Sequence, residues 1–96
     1  MSAFKELDPV LHAPLRLAVV SLLVARKEAE FTLLKKETNA TSGNLSVQLQ
    51  KLREAGYIDI VKRFRDNYPL TVCHITPTGE KAFRAYVRNL QTYLKP

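Results

Sequence analysis

The chain has 96 residues, with 15 Lys and Arg against 9 Asp and Glu, a formal charge of +6. That length holds one hydrophobic core, and we expect a single domain over residues 1–96. Hydrophobic residues at 46%, with 3 Gly and 5 Pro, exclude a disordered, collagen-like or low-complexity chain, and a single cysteine excludes an internal disulfide or a thiolate zinc site.

The positive balance favours polyanionic partners, nucleic acid ahead of an anionic membrane. No apolar run of the signal-peptide kind precedes Lys5, Glu6 and Asp8. The most apolar stretch, Leu15 to Val24, is short and contains Arg16, whereas a membrane span needs about 20 apolar residues. It reads as a core helix, and the expectation is a cytosolic protein with no membrane partner.

In chain order, Asp8-Pro9 is a cap-plus-proline signal for a short turn through Val10 and Leu11. Pro14 starts a longer helix to about Ala25 or Arg26, apolar on more than one face and so deeply buried. Lys27 to Glu30 reads as a charged connection and Phe31-Thr32 as a very short strand. Thr32 would cap a second helix, Leu33 to about Thr38. Asn39-Ala40 is a tight connector, because Asn tolerates the left-handed conformation that ends helices. Thr41 caps a third helix from Ser42 to about Ala55, with Leu45, Leu49 and Leu52 as one inward stripe and Gly56 as its stop. The period then changes: 57–64 and 70–75 are rich in β-formers and flank the polar segment 65–69, which predicts a hairpin. Thr76-Pro77 opens a last helix to about Leu94.

This order predicts a mainly α fold with a small β-hairpin: a winged helix-turn-helix, with a three-helix core, a two-stranded wing and a C-terminal helix. The run from Thr41 to Ile58, with its small polar start and its Leu49-Gln50-Lys51-Leu52-Arg53-Glu54-Ala55-Gly56 exit, resembles the recognition helix of the ArsR/MarR superfamily. His12-Ala13-Pro14-Leu15-Arg16-Leu17 is similar to the first-helix signature of ArsR-like regulators, and Ile75-Thr76-Pro77-Thr78-Gly79 to the strand-to-last-helix junction of many such proteins. The likeness covers residues 8–84. It implies a homodimeric transcriptional regulator of double-stranded DNA, more often a repressor, without a cofactor.

The residues themselves support DNA binding. A helix bound for a major groove must bury one face and offer hydrogen-bonding groups on the other. Ser42, Asn44, Ser46, Gln48 and Lys51 remain to face base edges once the leucines turn inward, and Asn and Gln can pair bidentately with adenine. Thr41 and Gly43 allow close approach of a phosphate to the positive helix end. No acidic residue occurs between Asn39 and Arg53. Lys62, Arg63 and Arg65 would set the hairpin on phosphates or the minor groove.

For assembly, Phe83, Tyr86, Val87, Leu90, Tyr93 and Leu94 are many large apolar residues for a terminal helix. Part of that stripe, with Phe4, Leu7, Val10 and Leu11, is expected to pair with a second copy through residues 1–12 and 77–96; covering the chain's own core is the alternative. A two-fold dimer would set two recognition helices about 34 Å apart.

Other chemistry has little support. Cys73 and His74 are strand neighbours and point to opposite faces, so they make no nucleophile–base pair, and Cys73 reads as a buried hydrophobe. His12, beside a proline-initiated helix, reads as structural. No Gly-rich phosphate loop, metal-ligand spacing or carboxylate pair occurs, and the Cys-x-Cys of metal-sensing relatives is missing, so neither metal nor enzymatic activity is expected. The rival reading is a winged helix used as a protein–protein module, whose exposed helix face would be apolar or acidic; only Val47 fits that.

Overall fold

The computed structural model describes residues 3–96, so the first two residues of the expected 1–12 dimer segment lie outside it. The elements are α1 (Pro14–Arg26), β1 (Glu28–Glu30), α2 (Phe31–Thr38), α3 (Ser42–Glu54), β2 (Ile58–Arg65), β3 (Tyr68–Ile75) and α4 (Pro77–Leu94). The three helices α1–α3 pack around Val19, Val20, Leu23, Leu34, Leu45, Leu49 and Leu52, and the base of the sheet closes the core with Ala29, Ile58 and Cys73. This is a winged helix.

Local sequence sets the helix ends. Thr41 accepts the Asn44 amide at 3.1 Å and Thr76 the Gly79 amide at 3.0 Å, each satisfying a donor at a helix start. Asn39 takes the left-handed conformation at φ 56° and turns the chain from α2 into α3.

Two expectations need correction. The short strand is the charged connection itself, Glu28–Glu30, and Phe31 begins α2 instead of forming a strand. Thr32 therefore caps nothing; Glu30 occupies the cap position without a side-chain bond. The strand exists because Ala29 turns inward while Glu28 and Glu30 turn outward, and because β3 offers an edge: Glu28 pairs with His74, Ala29 with Cys73, Glu30 with Val72. The sheet is thus three-stranded, in the order β1-β3-β2.

The hairpin is also longer than expected. Arg65 pairs with Tyr68, so the turn is only Asp66-Asn67, both at positive φ (49° and 69°), as a two-residue hairpin turn requires. Pro69 sits within β3 because β1 pairs only as far as Val72, leaving the edge at Pro69 without a neighbour that needs its missing N–H. The radius of gyration is 14.6 Å and the long axis 56 Å, whereas a compact chain of this size would have a radius of roughly 12.5 Å; the molecule is drawn out.

Residues 4–12 lie along the domain as a strap. The Lys5 amide donates to Thr92 Oγ1, Asn89 donates to the Glu6 carbonyl, and the Tyr93 hydroxyl donates to the Lys5 carbonyl. Phe4 stacks at a tilt on Tyr93, centroids 5.1 Å apart. Asp8 accepts the Val10 amide at 2.8 Å and the hydroxyl of Tyr57. His12 Nδ1 lies 3.0 Å from the Tyr86 hydroxyl, a structural contact between the turn before α1 and α4.

The Tyr57–Asp8 bond predicts an alkaline transition. Partial burial and the Asp8 carboxylate push the Tyr57 hydroxyl up to about 12 from 10. A raised folded-state value means that this contribution to stability is complete below pH 10 and is lost between about pH 10 and 12. Chemical denaturation across that window is expected to show a smaller loss of stability in Tyr57→Phe than in the parent chain.

Candidate nucleic-acid interface

The interface is built on α3. Its buried stripe of Leu45, Leu49 and Leu52 fixes the rotation of the helix, which leaves Ser42, Gly43, Asn44, Ser46, Gln50 and Lys51 exposed and Gln48 half-buried. The outward face carries no carboxylate until Glu54. Its one large apolar group is Val47, 52% exposed.

On one flank α3 is braced by α1. Arg16 Nη1 donates to Gln48 Oε1 at 2.7 Å, and Gln48 Nε2 donates to Asn44 Oδ1 at 3.1 Å. Arg16 is itself fixed by the strap, through Nε to the Val10 carbonyl at 2.6 Å and Nη2 to the Pro9 carbonyl at 3.4 Å. Two amides suited to adenine are therefore held in one orientation by a guanidinium from a neighbouring helix. The sequence held one signal of this, the lone charge inside the apolar run of α1.

On the other flank a groove of about 380 Å³ separates α3 from the base of the hairpin, lined by Ser46, Gln50, Arg53, Lys62 and Thr71 together with the apolar Phe31, Leu49 and Ile60. Lys62 Nζ is steadied by Thr71 Oγ1 at 2.9 Å. A channel with a guanidinium on one wall, an ammonium on the other and hydroxyl and amide donors between them suits a phosphodiester strand. Arg53 and Gln50 were not among the residues expected at the site; both follow from continuing the helical spacing of Ser46 around α3.

Arg63 and Arg65 do not join this groove. Strand alternation places them on the opposite face of the hairpin, where they cross β3 to β1. Arg63 contacts Glu28 at 2.7 and 3.3 Å, and Arg65 contacts Glu30 at 2.9 Å. Arg63 also donates to His74 Nε2 at 3.2 Å. The Arg63 guanidinium holds the Glu28 carboxyl below the usual carboxylate range. Of the three basic hairpin residues, Lys62 alone lies beside α3.

The residues expected at a dimer interface divide as well. Leu11 and Tyr86 are buried in the chain's own core and present no surface to a second copy. Leu7, Val10, Phe83 and Leu90 pack partly against that core. Phe4, Val87, Tyr93 and Leu94 remain exposed. Cys73 is fully buried, which pushes its thiol up to about 11 and leaves it unreactive at neutral pH. Among the described residues no three His, Cys, Asp or Glu side chains gather as a metal site, and no helix is long and apolar enough to cross a membrane.

A wing, a capped helix whose outer face carries no carboxylate before Glu54 at its end, and a cationic groove between them define a nucleic-acid-binding winged helix. The chain belongs to the winged helix DNA-binding domain family, whose pattern it matches over residues 15–94. It is 32% identical over 78 residues to an uncharacterized protein of Methanocaldococcus jannaschii, covering 81% of this chain and 85% of that one. Its fold is similar to that of a transcriptional regulator homologue from Pyrococcus horikoshii, with a TM-score of 0.83 and 28% identity over 88% of this chain and 84% of that one. A MarR-family transcriptional regulator from Silicibacter pomeroyi shares the fold, with a TM-score of 0.67 and 15% identity over 88% of this chain and 56% of that one.

Proposed function

We propose that the chain is a sequence-specific transcriptional regulator that binds double-stranded DNA as a homodimer and represses by occupying its site. The observation that carries this reading is the outer face of α3: donors and acceptors with no carboxylate before Glu54 at its end, locked by Arg16 on one side and opening on the other into the Arg53–Lys62 groove. Asn44 and Gln48 read base edges, with Ser42, Ser46 and Lys51 alongside them. Thr41, Gly43, Arg53 and Lys62 hold phosphates. The exposed ends of Phe4, Val87, Tyr93 and Leu94 form the contact with the second copy. The transcriptional regulator homologue of Pyrococcus horikoshii, similar over most of its length, supports the regulatory role.

Selection of bound duplexes from random DNA tests the reading. It is expected to return a palindrome with half-sites about one helical turn apart, and sedimentation equilibrium to return twice the chain mass. Arg53→Ala with Lys62→Ala is expected to weaken all sequences alike and to flatten the salt dependence by about two phosphate contacts per subunit, about four for the dimer. A folded protein that binds no duplex at low salt would favour the protein–protein module instead, the reading for which exposed Val47 speaks.

The ion pairs on the far face of the hairpin give a further expectation. Glu28→Gln with Glu30→Gln frees Arg63 and Arg65. Solvent-exposed pairs of this kind add little to stability, so the fold should persist. DNA affinity at low salt is expected to rise and its salt dependence to steepen, measured by fluorescence anisotropy over a salt series.

A further inference from the structure

We propose that the tip of the hairpin is an apolar wedge for the minor groove of DNA, with Phe64 as the inserting side chain; this rests on the DNA-binding reading and adds a mode of contact to it. Phe64 and Tyr68, at 74% and 73%, are the most exposed large hydrophobic side chains among the described residues, and both stand at the end of the ribbon. A buried-core role is excluded by that exposure. The two point to opposite faces, Tyr68 sharing that of Arg65 and Phe64 that of Pro69, so Phe64 stands alone as the large apolar group on its side of the tip.

Register identifies the occupant. Phe64 pairs with Pro69, and Lys62 with Thr71, so Phe64 lies on the groove side of the ribbon, two residues beyond the Lys62 ammonium. That spacing is about 7 Å along a strand. A DNA strand held between Arg53 and Lys62 borders the major groove occupied by α3 on one side. On its other side is the minor groove, under the ribbon tip. The tip is not a basic finger: its cation, Arg65, is paired with Glu30 on the far face, and the turn carries Asp66. What it offers the groove is a phenyl ring backed by Pro69. The two-residue turn sets Phe64 one residue from the end of the ribbon, so the side chain, and not the ribbon itself, is what enters a minor groove about 6 Å wide. Apolar side chains presented in this way slide between base steps and partly unstack them.

Fluorescence anisotropy on A·T-rich duplexes over a salt series tests the wedge. Phe64→Ala is expected to lower affinity roughly tenfold per subunit and so about a hundredfold for the dimer, as loss of one aromatic–base contact in each copy does, with the salt slope unchanged because no phosphate contact is removed. Phe64→Leu should keep most of the affinity. With the minor groove filled by a small A·T-binding ligand, parent and Phe64→Ala should bind alike. Equal affinity of parent and Phe64→Ala on bare DNA, a loss that alters the salt slope, or a change in sedimentation mass caused by Phe64→Ala would each overturn the proposal, the last by assigning the tip to a second copy. If the parent chain binds no DNA, the functional reading and the wedge fall together. If the parent binds and Phe64→Ala binds equally well, the wedge alone falls.

Discussion

Gly79→Ala is expected to lower the free energy of unfolding by about 3 kcal/mol, the upper part of the usual range for overpacking a close contact. A Cβ at this position would lie 2.1 Å from the carbonyl oxygen of Tyr57 and 2.9 Å from Ile75 Cδ1. The carbonyl cannot retreat freely, because it already accepts the Thr76 amide at 3.1 Å, and the Thr76 hydroxyl donates to the Gly56 carbonyl at 2.7 Å while accepting the Gly79 amide. The first turn of α4 is thus seated against the exit of α3, and a methyl group there must push the two apart. Urea titration of parent and variant measures the effect. Gly43→Ala is the informative contrast. Nothing lies within 4 Å of a Cβ there, so the fold should be unharmed or gain up to about 1 kcal/mol from helix propensity. DNA affinity should nevertheless fall, if the backbone at the start of α3 lies against a phosphate. A Gly43→Ala protein that binds DNA unchanged would remove Gly43 from the interface.

Arg16→Ala is expected to impair base discrimination and stability together. It strips Gln48 of the donor that orients its amide, and discrimination at the base facing Gln48 should fall by about 1–3 kcal/mol, the value of a well-placed bidentate contact. It also leaves the carbonyls of Pro9 and Val10 without their guanidinium partner; the half-buried bond to Val10 should contribute most of a stability loss of about 1–2 kcal/mol. Gln48→Ala separates the two effects, since it removes the reading group and leaves the strap fastened. Binding to a selected site and to single-base variants, alongside thermal unfolding, would measure both. Equal discrimination in Arg16→Ala and the parent would show that Gln48 is positioned by α3 alone.

Much of the fold was legible because it is written locally. Thr41, Thr76, Pro14, Pro77, Asn39 and Gly56 punctuate the chain within a few residues of the ends they set, and the Leu45–Leu49–Leu52 spacing fixes which way α3 faces. What escaped depends on pairing at a distance. Glu28-Ala29-Glu30 has no strand signal of its own and becomes a strand only against residues more than forty positions later. The anchoring of Arg63 and Arg65 on Glu28 and Glu30, and of Gln48 on Arg16, spans separations of 35 and 32 residues. One part was legible and went unused: the alternation that separates Cys73 from His74 equally separates Lys62 from Arg63 and Arg65, so a cluster of three cations in sequence could never have been one patch on a strand.

The drawn-out shape has a hydrodynamic consequence. With a long axis of 56 Å against 25 and 21 Å, a single chain tumbles and diffuses as a larger sphere would. On a gel-filtration column calibrated with compact proteins it should elute early, and a monomer would pass for something approaching a dimer. Mass, not elution volume, has to decide how many copies meet on the DNA.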